Sequence, residues 1–295
     1  MNAAPAIQVD RLTRRFGRLV AVDDVSFAVA PGQVVGFLGP NGAGKSTTVR
    51  TLMGFLHPTA GSCRVLGVWP GRDVGVRGRI GYLPGDFRIE AGMRPSDLFA
   101  WFARVRGVPV RWGNELAERL DLDVSRPFGT LSKGNRQKVG LVQAFLHRPE
   151  VVVLDEPSTG LDPGSQRELL GLVRAAAARG AAVLFSSHVL PEVERVADRV
   201  AVLRDGRLIA FSPVGDLLDH ARHRLELSFT EPVSADVLQG VRGVVGVQAD
   251  GRRLDVVVDG PVGPALAAAT ASGDLLRVAP IGDELEDLFF AEAER

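Results

Sequence analysis

Hydrophobic residues along this chain follow two spacings. Short, nearly unbroken apolar runs predict buried strands at Val34–Leu38, Val151–Leu154 and Ala181–Phe185. Apolar residues that recur every three or four positions predict helices instead. These helices are expected in the segments 95–105, 112–120, 132–146 and 165–179. Because unbroken apolar strands are covered on both faces, the pattern predicts a mostly parallel sheet packed between helices.

Alternating polar and apolar residues mark the regions on either side of this α/β core. Strands are predicted at Ile7–Leu12 and Ala21–Val29, and a hairpin is predicted around Asp205-Gly206. Beyond Pro213 the elements follow the order β-α-β-β-α-β, which is typical of a small split βαβ domain. No catalytic pattern is visible in that part. The predicted domains are 1–215, with a helical insertion near 88–147, and an accessory α+β domain at 216–295.

Composition narrows the class of protein. The 295 residues carry 35 basic and 35 acidic side chains, so we expect no nucleic-acid partner. Cys63 is the only cysteine, which rules out a disulfide within the chain and fits a reducing compartment. The first residues lack the layout of a signal peptide, and no apolar run reaches the length of a membrane span. A soluble, cytoplasmic protein is expected.

A glycine-rich loop joins the apolar run that ends at Leu38 to a helical pattern. It reads Gly39-Pro40-Asn41-Gly42-Ala43-Gly44-Lys45-Ser46-Thr47 and matches the phosphate-loop pattern G-x-x-x-x-G-K-[ST]. Its glycines let backbone N–H groups turn towards an anion, and the following helix N-terminus adds positive potential. In such loops the lysine, here Lys45, reaches the β- and γ-phosphates, and the hydroxyl of Ser46 contacts Mg²⁺. Because motif and context agree, we interpret it as a nucleotide-phosphate site rather than an ordinary turn.

Three chemically active side chains follow predicted strands at their carboxyl ends. Ligands of parallel sheets bind at that edge. Asp155 and Glu156 end one strand, and two adjacent carboxylates suit Mg²⁺ binding by the first and positioning of an attacking water by the second. His188 ends another strand. A structural role is the ordinary interpretation of a lone histidine, but this position favours a contact with a γ-phosphate.

Two other segments allow two interpretations each. The stretch Leu131-Ser132-Lys133-Gly134-Asn135-Arg136-Gln137 opens a helix with a good N-cap residue, Ser132. It is either an ordinary capped helix or an anion site at a helix N-terminus. Phe16, in a segment predicted as a polar turn, either covers the edge of a sheet or offers a flat face to a purine base. Taken alone, both segments favour the structural interpretation.

In combination and in this order, the motifs resemble those of ATP-binding subunits of ABC transporters, over about residues 7–215. Gly39–Thr47 resembles the family's Walker A motif, and Val151–Glu156 resembles its Walker B motif. The other matches are the signature at Leu131–Gln137, the D-loop at Ser158–Asp162, the switch histidine His188 and the adenine-stacking aromatic Phe16. The resemblance implies the P-loop cassette fold: a mostly parallel core, an antiparallel β subdomain and a helical insertion.

The same resemblance implies an ATPase that uses ATP and Mg²⁺. In the family, two cassettes pair head to tail, and the signature of each closes on the ATP of the other. The residues thereby implied to contact the ATP of a second copy are Leu131, Ser132, Lys133, Gly134 and Gln137. A separate transmembrane permease is the other implied partner, which would place the chain on the inner face of the cell membrane.

A segment near the end of the sequence bears on the direction of transport. Leu285-Glu286-Asp287-Leu288-Phe289 resembles the exporter branch of the family, which is commonly tied to drug efflux. A cytosolic motor does not contact the transported compound, so these motifs specify the chemistry of ATP and not that of the compound. A non-transport ATPase of the same class and a nucleotide-gated regulatory module are the alternatives. Non-transport ATPases of this class that act on ribosomes or DNA usually have paired cassettes, long coiled-coil insertions or basic patches. This sequence has none of these features.

One position departs from the family pattern. The family's Q-loop carries a glutamine that touches Mg²⁺ or the attacking water, and this chain has Gly85 there, followed by Asp86. Glycine has no side chain for that contact, so Asp86 or a water must replace it if hydrolysis is to be fast. Phe87, Ile89 and Met93 follow and are expected to form an apolar contact with the permease.

Overall fold

The computed structural model describes residues 4–219 and 222–281. The chain divides into two compact units, Met1–Phe211 and Ser212–Arg295, and the predicted domain boundary after residue 215 lies close to this division. The exporter-like segment Leu285–Phe289 lies outside the described residues. No helix in the described part has the length and hydropathy needed to cross a bilayer.

Strands and helices alternate through most of the first unit. Its strands are β1 (Ile7–Phe16), β2 (Leu19–Val29), β3 (Val34–Leu38), β4 (Ala60–Val65), β5 (Ile80–Leu83), β6 (Val151–Asp155), β7 (Ala182–Ser187), β8 (Arg199–Arg204) and β9 (Arg207–Pro213). Its helices are α1 (Lys45–Leu52), α2 (Val74–Arg77), α3 (Pro95–Arg106), α4 (Arg111–Arg119), α5 (Lys133–Phe145), α6 (Pro163–Ala178) and α7 (Leu190–Glu194), with a 3-10 turn at Phe128–Thr130. The predicted α/β fold class is confirmed.

A six-stranded sheet in the order β5-β6-β7-β3-β8-β9 forms the centre of this unit. Neighbouring strands from β5 to β8 are parallel, and every residue of β3, β6 and β7 is buried. The register sets Asp155 beside Ser186 and Leu38 beside Ser187. The carboxyl ends of three central strands therefore meet at one edge of the sheet, where ligands of such folds bind.

An antiparallel sheet in the order β2-β1-β4 packs on the central sheet. The two sheets share one hydrophobic core, in which the rings of Phe27 and Phe37 lie 5.2 Å apart. Strand β1 does not end at Leu12 as predicted but continues to Phe16, which pairs with Leu19 across the turn. The polar turn predicted around Phe16 is therefore wrong, because cross-strand pairing extends the hairpin to its last residues.

Helices α3, α4 and α5 lie in the segment predicted as a helical insertion. Helix α3 forms as predicted, but two of the residues whose spacing predicted it face solvent: Trp101 is 50% exposed and Val105 is 58% exposed. Leu98, Phe99 and Ala103 form the buried stripe instead. Apolar residues occupy more than one face of α3, so their spacing predicts a helix without showing which face packs.

The second unit is an antiparallel sheet with one longer helix. Its elements are α8 (Val214–Asp219), β10 (Arg222–Phe229), a 3-10 turn (Ala235–Leu238), β11 (Val244–Asp250), β12 (Arg253–Asp259), α9 (Gly263–Ser272) and β13 (Leu275–Pro280). The sheet order is β11-β12-β10-β13. One face packs Leu227, Leu254 and Val256 against Ala265 and Ala269 of α9. The predicted element order is confirmed, except that a 3-10 turn replaces the first helix and α8 was not predicted.

Candidate nucleotide site

The loop between β3 and α1 has the backbone expected of an anion-binding site. Gly39, Gly42 and Gly44 have φ angles of 152°, 86° and 99°, which residues with a Cβ atom rarely adopt. A Cβ atom on Gly39 would lie 2.3 Å from the carbonyl oxygen of Leu203, and one on Gly44 would lie 2.5 Å from that of Ala21. Glycine is thus required at these two positions both by the backbone conformation and by the close approach of neighbouring strands.

The remaining residues of this loop differ in exposure. Its tip, Pro40 to Gly42, is exposed, whereas Ala43 and Lys45 are buried. Ser46 and Thr47 are half-buried on the first turn of α1. No side chain caps this helix, so its first N–H groups are available to an anion above the exposed tip.

Lys45, Glu156 and His188, which were predicted to be catalytic, form one cluster. The Nζ atom of Lys45 lies 3.2 Å from Oε1 of Glu156, and Nδ1 of His188 lies 2.6 Å from Oε2 of the same carboxylate. Lys45 is 5% exposed and also donates to the carbonyl oxygens of Gly39 at 2.6 Å and Pro40 at 3.2 Å. Three residues far apart in sequence therefore converge beside the phosphate loop.

Asp155 is held by a serine that the sequence analysis did not identify. Its Oδ1 atom accepts a hydrogen bond from the Ser186 hydroxyl at 2.8 Å, and that hydroxyl accepts the N–H of Glu156 at 2.9 Å. Asp155 is 2% exposed and Ser186 is fully buried. The signal that could have found Ser186 is its place at the end of the strand next to that of Asp155, which requires knowing the strand order.

The residues at this edge of the sheet suit Mg²⁺. Within the described residues, no hydrogen bond uses Oδ2 of Asp155, and the half-buried hydroxyl of Ser46 lies on α1. Mg²⁺ prefers oxygen ligands, and in nucleotide sites it retains waters and phosphate oxygens, so one carboxylate and one hydroxyl from the protein are a sufficient set. No cluster of three or more His, Cys, Asp or Glu side chains that could hold a metal occurs in residues 4–219 and 222–281.

The Q-loop position lies against Asp155. A Cβ atom on Gly85 would lie 3.5 Å from the carbonyl oxygen of Asp155 and 3.6 Å from its Oδ2 atom. The neighbouring Asp86 is exposed, and its two carboxylate oxygens each lie 2.9 Å from the Arg88 guanidinium. Asp86 would have to leave Arg88 to reach the metal site, and its role there stays a prediction.

Replacing Asp86 tests that role. If Asp86 replaces the missing glutamine, Asp86→Ala should lower ATP turnover and raise the Mg²⁺ concentration needed for half-maximal rate. Gly85→Gln should relieve the defect, because its side chain would begin beside Asp155. Arg88→Gln is the matched control, since it breaks the ion pair but leaves the carboxylate. Normal hydrolysis by Asp86→Ala across a Mg²⁺ titration would show that Asp86 has no part in the site.

The predicted signature segment is only partly exposed. Ser132 caps α5, and its hydroxyl accepts the N–H of Asn135 at 3.2 Å; Ser132 and Lys133 face solvent, whereas Leu131 is buried. Gln137 is 7% exposed and donates to the carbonyl oxygens of Glu156 at 3.3 Å and of Pro157 at 3.0 Å. The predicted N-cap is confirmed, but Gln137 faces the interior of its own chain.

Gly134 also lies against the following D-loop. A Cβ atom on Gly134 would lie 2.5 Å from the carbonyl oxygen of Gly160. Asp162 caps α6, where its carboxylate accepts the N–H of Ser165 at 2.9 Å and its hydroxyl at 2.6 Å. These two hydrogen bonds hold the pKa of Asp162 well below its usual range, and the positive charge of Lys138, 3.5 Å away, lowers that pKa further.

Two further contacts complete the surroundings. The hydroxyl groups of Ser158 and Ser187 donate to the same Glu192 oxygen at 2.7 Å and 3.0 Å. No sequence pattern indicated this link of the D-loop and the end of β7 to α7. Phe16 is 43% exposed at the end of β1, and the Arg14 guanidinium lies 4.6 Å from its ring centre. The exposed part of its ring is free to stack on a base, and that role stays a prediction.

Comparison with known proteins gives consistent matches. The family model described as "ABC transporter" matches residues 22–159. A Nod factor export ATP-binding protein I of Ralstonia nicotianae is 34% identical over 227 residues, which span 75% of this chain and 71% of the relative. An uncharacterized ABC transporter ATP-binding protein of Methanocaldococcus jannaschii is 33% identical, over 72% of this chain and 79% of the relative.

Solved structures share the fold. The ATP-binding subunit of an ABC transporter is 29% identical and aligns with a TM-score of 0.67, over 72% of this chain and 91% of its own. A dimeric bacterial ABC transporter cassette, 19% identical, aligns with a TM-score of 0.63 over 70% and 98%. The post-hydrolysis dimer of a cassette with ADP and phosphate, 18% identical, aligns equally well over the same shares. The predicted cassette fold is confirmed.

Proposed function

Because this chain belongs to the ABC transporter family, as an ATP-binding subunit with ATPase activity, we propose that it powers export of drugs or other hydrophobic compounds through a separate transmembrane permease. The observation that supports ATP hydrolysis is the cluster of Lys45, Glu156 and His188 beside the phosphate loop. The relative in Ralstonia nicotianae is named for export, and this supports the outward direction.

The geometry supports in-line hydrolysis of the γ-phosphate. Lys45 and the N–H groups of the loop hold the phosphates, and Lys45 exchanges its present carbonyl partners for phosphate oxygens. The Glu156 carboxylate is then free to orient a water and accept its proton. His188, already 2.6 Å from Glu156, steadies that carboxylate and the γ-phosphate. Mg²⁺, held by Asp155 and Ser46, would neutralise charge on the phosphate oxygens.

A second copy of the chain is the proposed partner for each site. Ser132 and Lys133 are exposed at the beginning of α5, where uncommitted N–H groups can meet an anion on another molecule. Two copies in head-to-tail order would set each exposed α5 N-terminus over the other's nucleotide. We place this pair on the inner face of the cell membrane, where it meets the permease.

The segment after Gly85 is the proposed contact with the permease. Phe87 is half-buried: its ring lies 5.9 Å from that of Phe128, and a Cβ atom on Gly140 would come within 3.0 Å of it. Phe87 thus anchors the segment to α5. Ile89 and Met93, both half-buried, offer the apolar surface to the permease.

Export is tested in inverted membrane vesicles that contain this chain and a permease encoded beside it, with a fluorescent hydrophobic amine as the probe. ATP should drive uptake of the probe into the vesicles, and Glu156→Gln should stop it. Glu150→Gln, at the opposite end of the same strand, should leave uptake unchanged. ATP-dependent movement of the probe out of the vesicles would overturn the export direction.

A further inference from the structure

The peptide that carries Glu156 is held in an unusual conformation. Glu156 has φ 51°, in the left-handed region that residues with a side chain seldom occupy without support from their surroundings. Two buried side chains provide such support. Ser186 accepts the N–H of Glu156 at 2.9 Å, and Gln137 donates to its carbonyl oxygen at 3.3 Å. The N–H of this residue is therefore held by a side chain, and its carbonyl oxygen accepts both the Gln137 amide and the backbone N–H of Thr159, each at 3.3 Å.

Gln137 reaches this peptide from a helix that is itself seated on the same loop. The same amide nitrogen donates to the Pro157 carbonyl oxygen at 3.0 Å. One turn earlier on α5, Gly134 packs so closely on the Gly160 carbonyl that any Cβ atom would collide with it. Lys138 directly follows Gln137, and its Nζ atom lies 3.5 Å from the Asp162 carboxylate. A shift of α5 along this loop would therefore be transmitted to the Glu156 peptide.

We propose that Gln137 is a positioning residue for Glu156, through which α5 sets the direction of the carboxylate that orients the attacking water. The proposal rests on the proposed role of Glu156 in hydrolysis. Gln137 is buried and donates to the carbonyl oxygens of Glu156 and Pro157; it acts on the rate only through the Glu156 peptide. Because Ser132 begins the same helix, contact of that end with a second copy would be felt at the chain's own catalytic carboxylate.

A purely structural role for Gln137 has different consequences. Hydrogen bonds between neutral groups contribute modestly to stability, but leaving a buried carbonyl oxygen without a donor costs more. Loss of the Gln137 amide would do this to the Pro157 carbonyl, whereas the Glu156 carbonyl would keep the N–H of Thr159. If Gln137 only satisfied those oxygens, its loss would lower the melting temperature and leave kcat unchanged. If it positions Glu156, a displacement of about 1 Å is enough to lower kcat by about a hundredfold, since hydrolysis depends on the alignment of the water.

Gln137→Met keeps the length and burial of the side chain and removes only its donor. We expect kcat to fall by about ten- to a hundredfold, with ATP affinity, measured without hydrolysis, within about twofold of wild type because Lys45 and its loop are untouched. Gln143→Met is the matched control: Gln143 is 9% exposed on the same helix, about 9 Å further along it, and its loss should leave kcat near wild type. Gln137→Asn keeps an amide but shortens the side chain by one methylene, so the amide no longer reaches and kcat should fall as far as in Gln137→Met.

Combining the change with Glu156→Gln separates the two roles. Single-turnover hydrolysis of radiolabelled ATP should be as slow in the double variant as in Glu156→Gln alone, since no carboxylate is left to position. Wild-type kcat for Gln137→Met, or the same further loss in the Glu156→Gln background, would overturn the positioning role. Wild-type turnover by Glu156→Gln would instead overturn the role of Glu156 itself, and the proposal with it.

Discussion

Glu156→Gln is expected to bind ATP and almost cease to hydrolyse it. The carboxylate is 18% exposed and sits between Nζ of Lys45 at 3.2 Å and Nδ1 of His188 at 2.6 Å. Glutamine has the same shape but cannot accept a proton from water, and loss of such a group lowers rates by about 10²- to 10⁴-fold. Phosphate release should fall accordingly, equilibrium ATP binding should persist, and ATP-bound dimers should accumulate in size-exclusion chromatography.

A glutamate at the other end of β6 provides the matched control. Glu150 immediately precedes β6, at the end opposite Glu156, and pairs with Arg79 at 2.6 Å on the surface. Exposed ion pairs contribute little to stability, so Glu150→Gln should hydrolyse ATP near the wild-type rate. Phosphate release at the wild-type rate from Glu156→Gln would remove that residue from the catalytic role.

The edge of the sheet that carries the site could be predicted because its signals are local. The apolar runs ending at Leu38, Leu154 and Phe185 need only their own composition to be recognised as buried strands. The polar residues that follow these strands then lie at one edge of any parallel sheet, whatever the strand order. The glycine pattern of the phosphate loop is also local, because the backbone conformation at Gly39 and at Gly44 requires glycine at each of these positions.

The supporting contacts could not be predicted because they depend on register between distant segments. Ser186 meets Asp155 only once β6 and β7 are aligned in the observed register. Gln137 reaches the Glu156 peptide only once α5 is seated on that loop. The sequence shows a serine after an apolar run and a glutamine in a helix, and neither residue type indicates its partner.

Local spacing also failed where several faces of an element are apolar. Trp101 and Val105 in α3 are spaced like core residues yet face solvent, while the small Ala103 is buried. The buried face of α3 is the one that α4 approaches closely: a Cβ atom on Gly113 of α4 would lie 3.4 Å from the Phe99 side chain. Such packing choices depend on the neighbouring helix rather than on the periodicity of α3.

Two inactive variants are expected to restore hydrolysis when mixed. Lys45→Ala removes the buried ammonium of the phosphate loop, and Ser132→Arg places a bulky side chain on the exposed α5 N-terminus that should face a second copy. Each homodimer then lacks an intact site and should be nearly inactive. A heterodimer has one site made of unmutated Lys45 from one copy and unmutated Ser132 from the other.

The control uses the same surfaces without an intact site. Mixing Lys45→Ala with the double variant Lys45→Ala/Ser132→Arg also forms heterodimers, but no unmutated Lys45 remains in either copy. No ratio of these two proteins should recover hydrolysis. Circular dichroism melts of each variant verify that Ser132→Arg, which also loses the helix cap, remains folded.

Phosphate release as a function of mixing ratio is therefore the most direct test of the composite site. At a one-to-one ratio about half of the dimers are mixed and each holds one of two sites, so independent sites predict about a quarter of wild-type activity. The double-variant control should stay at background. If no ratio recovers activity while differently tagged copies demonstrably pair, the composite arrangement, or the independence of its two sites, is wrong.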